Sequence, residues 1–302
     1  MSLADVQKAM REKVVNRVWI CSDLQQWDPE IAREMLDLTL ADFEELSLPC
    51  EQIWNLGDST DGRHYENMQK TILLQAEKLE TLGLPIFYTF GNHDFDLLKK
   101  EPERGLSAVP AWEILKPRPL WNLPPRISDF YFCGDFGDYR VYFTGDHAAP
   151  DASWIVTHGQ IHGDEAAYPH TKEAYEALRQ EMMDSRRPII GAGHYAFPGG
   201  NRPSALLGQL LPLPPSYKVH FYGHAHLGEE RLLGEHNYRK FAYTDFQHIP
   251  QVDVAALECR KASFVRSVFL EIYQDQSMGI FSRNHQNRVW EEALFLSPER
   301  QP

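Results

Sequence analysis

Five times along this 302-residue chain a short apolar run stops, usually at a glycine, and Asp, Asn or His follows. The stops are Asp23, Asp58, Asn92 with His93, His194, and His224 with His226. Side chains leaving the carboxyl ends of strands in an open α/β sheet face one crevice, so these residues are expected on a common rim. Asp, Asn and His brought together from distant parts of a sequence point first to a metal site. Their donor atoms are oxygen and nitrogen without thiolate, which suits Mn, Fe, Zn, Co or Ni better than Ca. The Gly223-His224-Ala225-His226 segment is itself unusual, because a shuffled chain of this composition would hold only about 0.04 Gly-His-x-His tetrapeptides.

The elements that must carry these residues are read as apolar runs alternating with helical patterns, an α/β signature. Strand-like runs extend from Arg17 to Cys21, Gln52 to Leu56, Leu84 to Phe90, Phe130 to Cys133, Tyr139 to Thr144, Trp154 to Thr157, Pro188 to Ala192 and Lys218 to Tyr222. Asp28 and Pro29 form an N-cap and N1 pair for a helix with Ala32, Leu36, Leu40 and Phe43 at helical spacing. Met68, Ile72, Ala76 and Leu79 mark a second amphipathic helix, closed by Gly83. Thr171 is expected to cap a third, carrying Ala174, Leu178 and Met182. The Pro-rich segment at about 101–126 reads as an irregular surface loop in which Trp112 and Trp121 either form a lid or anchor the loop to the body. Ser267 to Tyr273 and Met278 to Ser282 flank Asp275-Gln276 as a C-terminal β-hairpin at about 267–282. No shift of composition divides the chain, so 1–302 is expected to be a single domain, with two layers of sheet and helices outside them.

Composition narrows the function. At 43% hydrophobic and 24% charged residues the chain lies near the globular average, which argues against disorder. Acids outnumber bases 43 to 30, a net charge of -13, and this opposes a broad basic face for long nucleic acid or an anionic membrane. Cys21, Cys50, Cys133 and Cys259 are widely spaced without a CxxC pair, so a disulfide framework and a thiolate zinc site are both unattractive. A reducing, cytoplasmic location is expected. The amino terminus lacks an apolar signal core, and no run of ~18 apolar residues predicts a membrane span.

Taken in order, Asp23, Gly57-Asp58, Gly91-Asn92-His93-Asp94, His194 and Gly223-His224-x-His226 resemble the calcineurin-like metallophosphoesterase superfamily over roughly Arg17 to His226. The resemblance implies a four-layer α-β-β-α sandwich of two mixed sheets flanked by helices, with a metal site at strand carboxyl ends. It also implies two divalent or mixed-valence metal ions. Asp58 would bridge them, Asp23 and His226 would complete the first ion's ligands, and Asn92, His194 and His224 would bind the second. The implied reaction is hydrolysis of a small phosphodiester or phosphomonoester by a metal-bridging hydroxide, with His93 stabilising the transition state or protonating the leaving oxygen. One position departs from the pattern. The family usually has Asp-x-His where this chain has Asp23-Leu24-Gln25. Gln25 either binds through its amide oxygen, hydrogen-bonds the bridging water, or turns away. A neutral amide is a poorer ligand than imidazole for these metals, so the rival expectation is a catalytically weak or inactive scaffold on the same fold.

Around this set, Asp94 either orients His93 through its ring nitrogen or caps the helix starting at Phe95. Arg63 and His64 either contact phosphate or sit solvated at a helix start. Tyr195 and Arg202 flank a Pro198-Gly199-Gly200 turn, where they either contact substrate or belong to a surface loop. His158 and His162 read as a loop near the site, not as a helical ligand pair, because Gly159 lies between them. The expected partner is a small phosphorylated substrate, with no long nucleic acid and no membrane.

Overall fold

The structure, a computed structural model, describes residues 2–10, 13–62, 65–101, 103–104, 107, 109–127, 129–145, 154–157, 160–163, 168–204, 207–226, 241–244, 247–258 and 264–298. The first half runs α1 (Leu3–Met10), β1 (Val14–Cys21), α2 (Pro29–Leu46), β2 (Gln52–Asn55), α3 (Tyr65–Glu80), β3 (Ile86–Tyr88), α4 (Asp96–Lys100), α5 (Pro110–Leu115) and β4 (Trp121–Asn122). Then come β5 (Tyr131–Phe136), β6 (Tyr139–Thr144), β7 (Trp154–Thr157), β8 (Gln160–Gly163), α6 (Tyr168–Asp184), β9 (Ile189–Gly193) and β10 (Tyr217–Tyr222). The chain closes with β11 (Ala242–Tyr243), β12 (Gln251–Asp253), β13 (Arg266–Tyr273), β14 (Met278–Asn284) and β15 (Val289–Leu296).

Two mixed sheets result. The first has the order β15-β14-β13-β1-β2-β3-β4 and the second β11-β12-β10-β9-β6-β5. In the first, β1, β2 and β3 are parallel neighbours, with Ile20 opposite Trp54 and Ile53 opposite Ile86, while β13 lies antiparallel on the other flank of β1. In the second, β6, β9, β10 and β12 are parallel.

The period-2 alternation of β1 explains the layering. Val18 and Ile20 point inward and join Trp54, Leu56, Val141, Ile190, Val219 and Phe221 in the core between the sheets. Trp19 and Cys21 point outward and pack with Leu36, Leu40 and Phe43 of α2 and Met68 and Ile72 of α3. On the far side, Tyr175, Leu178 and Met182 of α6 cover Tyr142, Ile189 and Tyr217 of the second sheet. Full burial of such side chains contributes roughly 1.5–3 kcal/mol each. The product is helix, sheet, sheet, helix: an α/β four-layer sandwich, as expected.

A buried polar network fixes α2 to the first sheet. Arg283 makes a fork with Asp42 through Nε (2.9 Å) and Nη2 (2.6 Å), and His285 Nδ1 lies 2.8 Å from the same carboxylate. His285 Nε2 then meets Ser267 Oγ at 2.6 Å, which also accepts from Trp19 Nε1 at 2.7 Å. Despite its Ser-His-Asp order this is no nucleophile, since all three side chains are buried in the core.

Several boundaries depart from expectation. Asp28 caps α2 as foreseen, accepting from Glu30 N. The strand read from Leu84 to Phe90 is confined to Ile86–Tyr88, and the loop after it brings Gly91 and His93 N against Asp58. Thr171 is no cap: α6 already begins at Tyr168. The segment 101–126 is not wholly irregular, for it contains α5 and β4. Its Trp121 is an anchor, buried with Nε1 donating to Glu80 at 3.0 Å while β4 pairs with β3. Gln160–Gly163, read as loop, is a strand that pairs with β7. The C-terminal hairpin is present and extended by β15 into three antiparallel strands at the edge of the first sheet. Cys21, Cys50 and Cys133 are free thiols. Among the described residues no helix is long and apolar enough to cross a membrane.

Candidate metal centre

Each candidate ligand leaves the carboxyl end of a parallel strand. Asp23 follows β1, Asp58 follows β2 and Asn92 follows β3. His194 follows β9, while His224 and His226 follow β10. Because the two sheets face each other, the first three approach from one side and the histidines from the other.

The loops that carry them are wound tightly. Asp23, Gln25, Asp58, His224 and His226 all have positive φ, from 38° to 66°. For non-glycine residues this costs on the order of 1 kcal/mol or more each and marks positions over-determined by their surroundings. Backbone bonds hold the loops together, from Asp23 N to Gly57 O (3.0 Å) and from Gln25 N to Asp58 O (2.9 Å). Two glycines permit the approach. A Cβ on Gly91 would lie 2.2 Å from Asp58 Oδ1, and one on Gly223 would lie 2.0 Å from Ser22 Oγ and 2.6 Å from Asp23 Oδ2.

The result is two donor triads that share one carboxylate. Asp58, His194 and His224 form one, and Asp23, Asp58 and His226 the other, with donor atoms of each group within 4.8 Å of one another. Asp23 Oδ1 stands 2.9 Å from His226 Nε2, and Asp58 Oδ2 stands 3.2 Å from His194 Nε2. These are close ion-pair approaches without hydrogen-bond geometry, and among the described residues neither Asp23 Oδ1 nor His194 Nε2, both buried, makes a hydrogen bond. Such atoms cost free energy when left bare and are satisfied by a cation. Oxygen and nitrogen donors that converge on a common carboxylate therefore fit a pair of divalent ions.

The electrostatics agree. Burial pushes Asp23 upward, but His226 and His194 outweigh it and hold this carboxyl below its usual range. Burial pushes His194 down, yet Asp58 and Asp23 raise it to about 9. His224 is driven down by burial and by the neighbouring charge of His194. The carboxylates thus create a field that draws positive charge into the rim.

Other sequence-predicted residues fall in different places. His93 lies at the rim, its backbone N–H donating to Asp58 Oδ1 at 2.8 Å and its ring 22% exposed. Asp94 does not orient that ring, nor does it cap a helix. Its carboxyl accepts from the backbone N–H groups of Asp58, Ser59 and Gly91 and from the Tyr88 hydroxyl, clamping the second and third loops together. Burial and then the charge of Asp58 raise its pKa to about 7. The carboxylate on His93 is that of Asp96, with Oδ2 2.5 Å from Nδ1. Gln25 is buried among the donors, with Nε2 3.4 Å from Asp58 Oδ2. Tyr195, expected toward substrate, is buried behind the ligands. Its hydroxyl donates to Asn92 Oδ1 at 3.2 Å and its ring packs against His224 and His194. Arg202 is half-buried and close enough to His224 for its charge to depress that imidazole. Arg63, His64 and His158 lie outside the described residues, as does the side chain of His162.

Two residues escaped the sequence reading. Asp96 is three residues from His93, a spacing that brings side chains together on a helical turn and was available as a signal. Glu258, whose Oε1 lies 2.8 Å from His226 Nδ1, follows no motif and is found only in three dimensions.

Comparison with known proteins agrees with this geometry. The family profile of calcineurin-like phosphoesterases matches residues 16–228. A solved dimetal phosphatase from Danio rerio superposes with a TM-score of 0.63 at 14% identity, covering 95% of this chain and 100% of that one. A purple acid phosphatase from yellow lupin seeds superposes with a TM-score of 0.56 at 13% identity, covering 96% of this chain and 55% of that one. At such identities the likeness is one of fold. No curated protein sequence matches the chain at a significant level.

Proposed function

The chain belongs to the calcineurin-like phosphoesterase family, and from that premise we propose that it hydrolyses a small phosphorylated substrate, a phosphodiester or phosphomonoester. The observation that carries this reading is Asp58, shared by two donor triads and placed between the carboxyl ends of two facing sheets. Asp23, Gln25, Asp58 and His226 would hold one ion, and Asp58, Asn92, His194 and His224 the other. Bound there, divalent ions supply Lewis acidity toward phosphoryl oxygens and lower the pKa of water.

The remaining chemistry falls to the chain. Asp96 fixes the His93 ring through Nδ1, which leaves Nε2 to donate a proton to the leaving oxygen or to hydrogen-bond the phosphoryl group. Arg202, whose charge reaches His224, would meet a phosphate oxygen. The neutral donors Gln25, Asn92 and the imidazoles add ligands without adding negative charge, so an anionic ester is admitted. A net charge of -13 disfavours a long polyanion while leaving a small one unaffected at the site.

The test joins metal analysis of purified protein to hydrolysis of bis(p-nitrophenyl) phosphate and p-nitrophenyl phosphate with added Mn. Two bound ions with turnover of either ester support the proposal, and the preferred ester assigns the class. A second reading is favoured by Gln25, which directs an amide N–H toward the shared carboxylate. Bound metal without turnover of any ester identifies the protein as a binding scaffold.

A further inference from the structure

We infer that Glu258 is a positioning residue that strengthens the Asp23-Asp58-His226 metal position, where Gln25 supplies a weak donor; the inference rests on the metal centre proposed above. His226 is held on both sides of its ring. Nδ1 lies 2.8 Å from Glu258 Oε1, and Nε2 lies 2.9 Å from Asp23 Oδ1. A proton on Nδ1, donated to Glu258, fixes the tautomer whose Nε2 lone pair faces the Asp23 and Asp58 carboxylates. The second oxygen of Glu258 lies 3.5 Å from Gln26 Nε2, beside the loop that carries Gln25. Leu257 N donates to Ser22 O at 2.9 Å, stitching this segment against the loop of Asp23.

Two contrasts give Glu258 its meaning. The side chain is fully buried, and a buried carboxylate is costly unless its charge is put to use. His194 on the opposite metal position is also held through Nδ1, but by the Leu56 carbonyl at 2.7 Å, a neutral acceptor. A carboxylate behind an imidazole makes that imidazole a more basic ligand than a carbonyl does. The carboxylate-backed histidine thus stands at the position where an amide replaces the family's usual imidazole. Glu258 compensates for Gln25.

Mn(II) titration of chelator-stripped protein by calorimetry tests this. The unaltered protein should show two binding events, one abolished by His226→Ala and the other by His194→Ala. Glu258→Gln and Glu258→Ala should weaken the His226-dependent event by about 10- to 100-fold, the alanine variant more, and leave the other within twofold. Melting temperatures of the stripped proteins separate ligand positioning from folding, and the near-isosteric Gln variant carries the test if Ala does not fold. Unchanged affinity at both positions overturns the inference. Equal losses at both, in step with a lowered melting temperature of stripped protein, overturn it as well. Absence of Mn(II) binding by the unaltered protein overturns the metal centre itself, and the role of Glu258 with it.

Discussion

His93 differs from its neighbours in exposure: its ring is 22% open, whereas Asp23, Asp58 and His194 are fully buried. On the proposed function, the buried donors would hold metal, and the part-exposed His93 ring, steadied by Asp96, would face the substrate. The two classes should respond differently to substitution. Asp58→Asn and His224→Ala should lose metal and turnover together, while His93→Ala should retain metal and lose about 10²- to 10⁴-fold in kcat. Metal content by elemental analysis beside steady-state rates on p-nitrophenyl esters checks both, and full activity in Asp58→Asn would sink the assignment. The convergence of Asp23, Asp58, His194, His224 and His226 was legible in the sequence because each follows an apolar run. The partners that orient these ligands were less so. Asp94 lies next to His93 in sequence, yet its carboxyl turns inward to the backbone of Asp58, Ser59 and Gly91. Adjacency does not decide direction at a tight turn, and Glu258 reaches His226 across 32 residues with no motif to announce it.

At the scale of elements, strands were easier to read than their ends. A continuous apolar run marks β1, but β3 ends at Tyr88, ahead of the loop that brings His93 N to Asp58, which is a tertiary demand. The Pro-rich segment concealed β4 because two residues carry no periodicity; pairing with β3 and the Trp121 bond to Glu80 create it. The joints between elements give two predictions. Among the described residues Asp42 is the carboxylate that Arg283 and His285 share, so Asp42→Ala removes the counter-charge of a buried guanidinium and should cost about 3–5 kcal/mol in urea unfolding. Metal content of the folded fraction should stay unchanged, since the network lies in the outer layer. On β10, His220 is buried with Nε2 2.8 Å from the Tyr195 carbonyl, and burial pushes its pKa down to about 4. With an unfolded value near 6.5, the unfolded chain binds the proton first. Stability from neutral His220 is therefore complete above about pH 6.5 and lost as pH falls toward 4, by about 2 kcal/mol at pH 5. His220→Gln should be less stable at pH 7.5 but flatter between pH 7 and 5. Parallel curves for the two proteins would refute the role of His220.

For the whole molecule, the net charge of -13 and the placement of the centre act together. Asp23, Asp58 and Asn92 hang from the first sheet, and His194, His224 and His226 hang from the second. The core between the sheets joins them below, through Val18, Ile20 and Trp54 against Ile190 and Phe221. At the rim, the junction is polar and buried, with Asp23 and Asp58 carboxylates facing each other's ligands. Two dications would bring four positive charges to a rim with two carboxylate ligands. An acidic protein could in this way present an electropositive pocket to an anionic ester, and the same ions would tie sheet to sheet. Metal should accordingly stabilise the fold as any ligand of the native state does, by about 2.7 kcal/mol for each ion present at a hundredfold excess over its Kd. Chelation should lower the melting temperature by several degrees, and Mn should restore it in a concentration-dependent way. Asp58→Asn, which removes the shared carboxylate, should melt at one temperature with or without chelator. Differential scanning calorimetry of the two proteins, each with Mn and with EDTA, checks this. A chelator-induced shift that persists in Asp58→Asn would mean that the stabilising ion sits elsewhere and that the rim does not join the sheets.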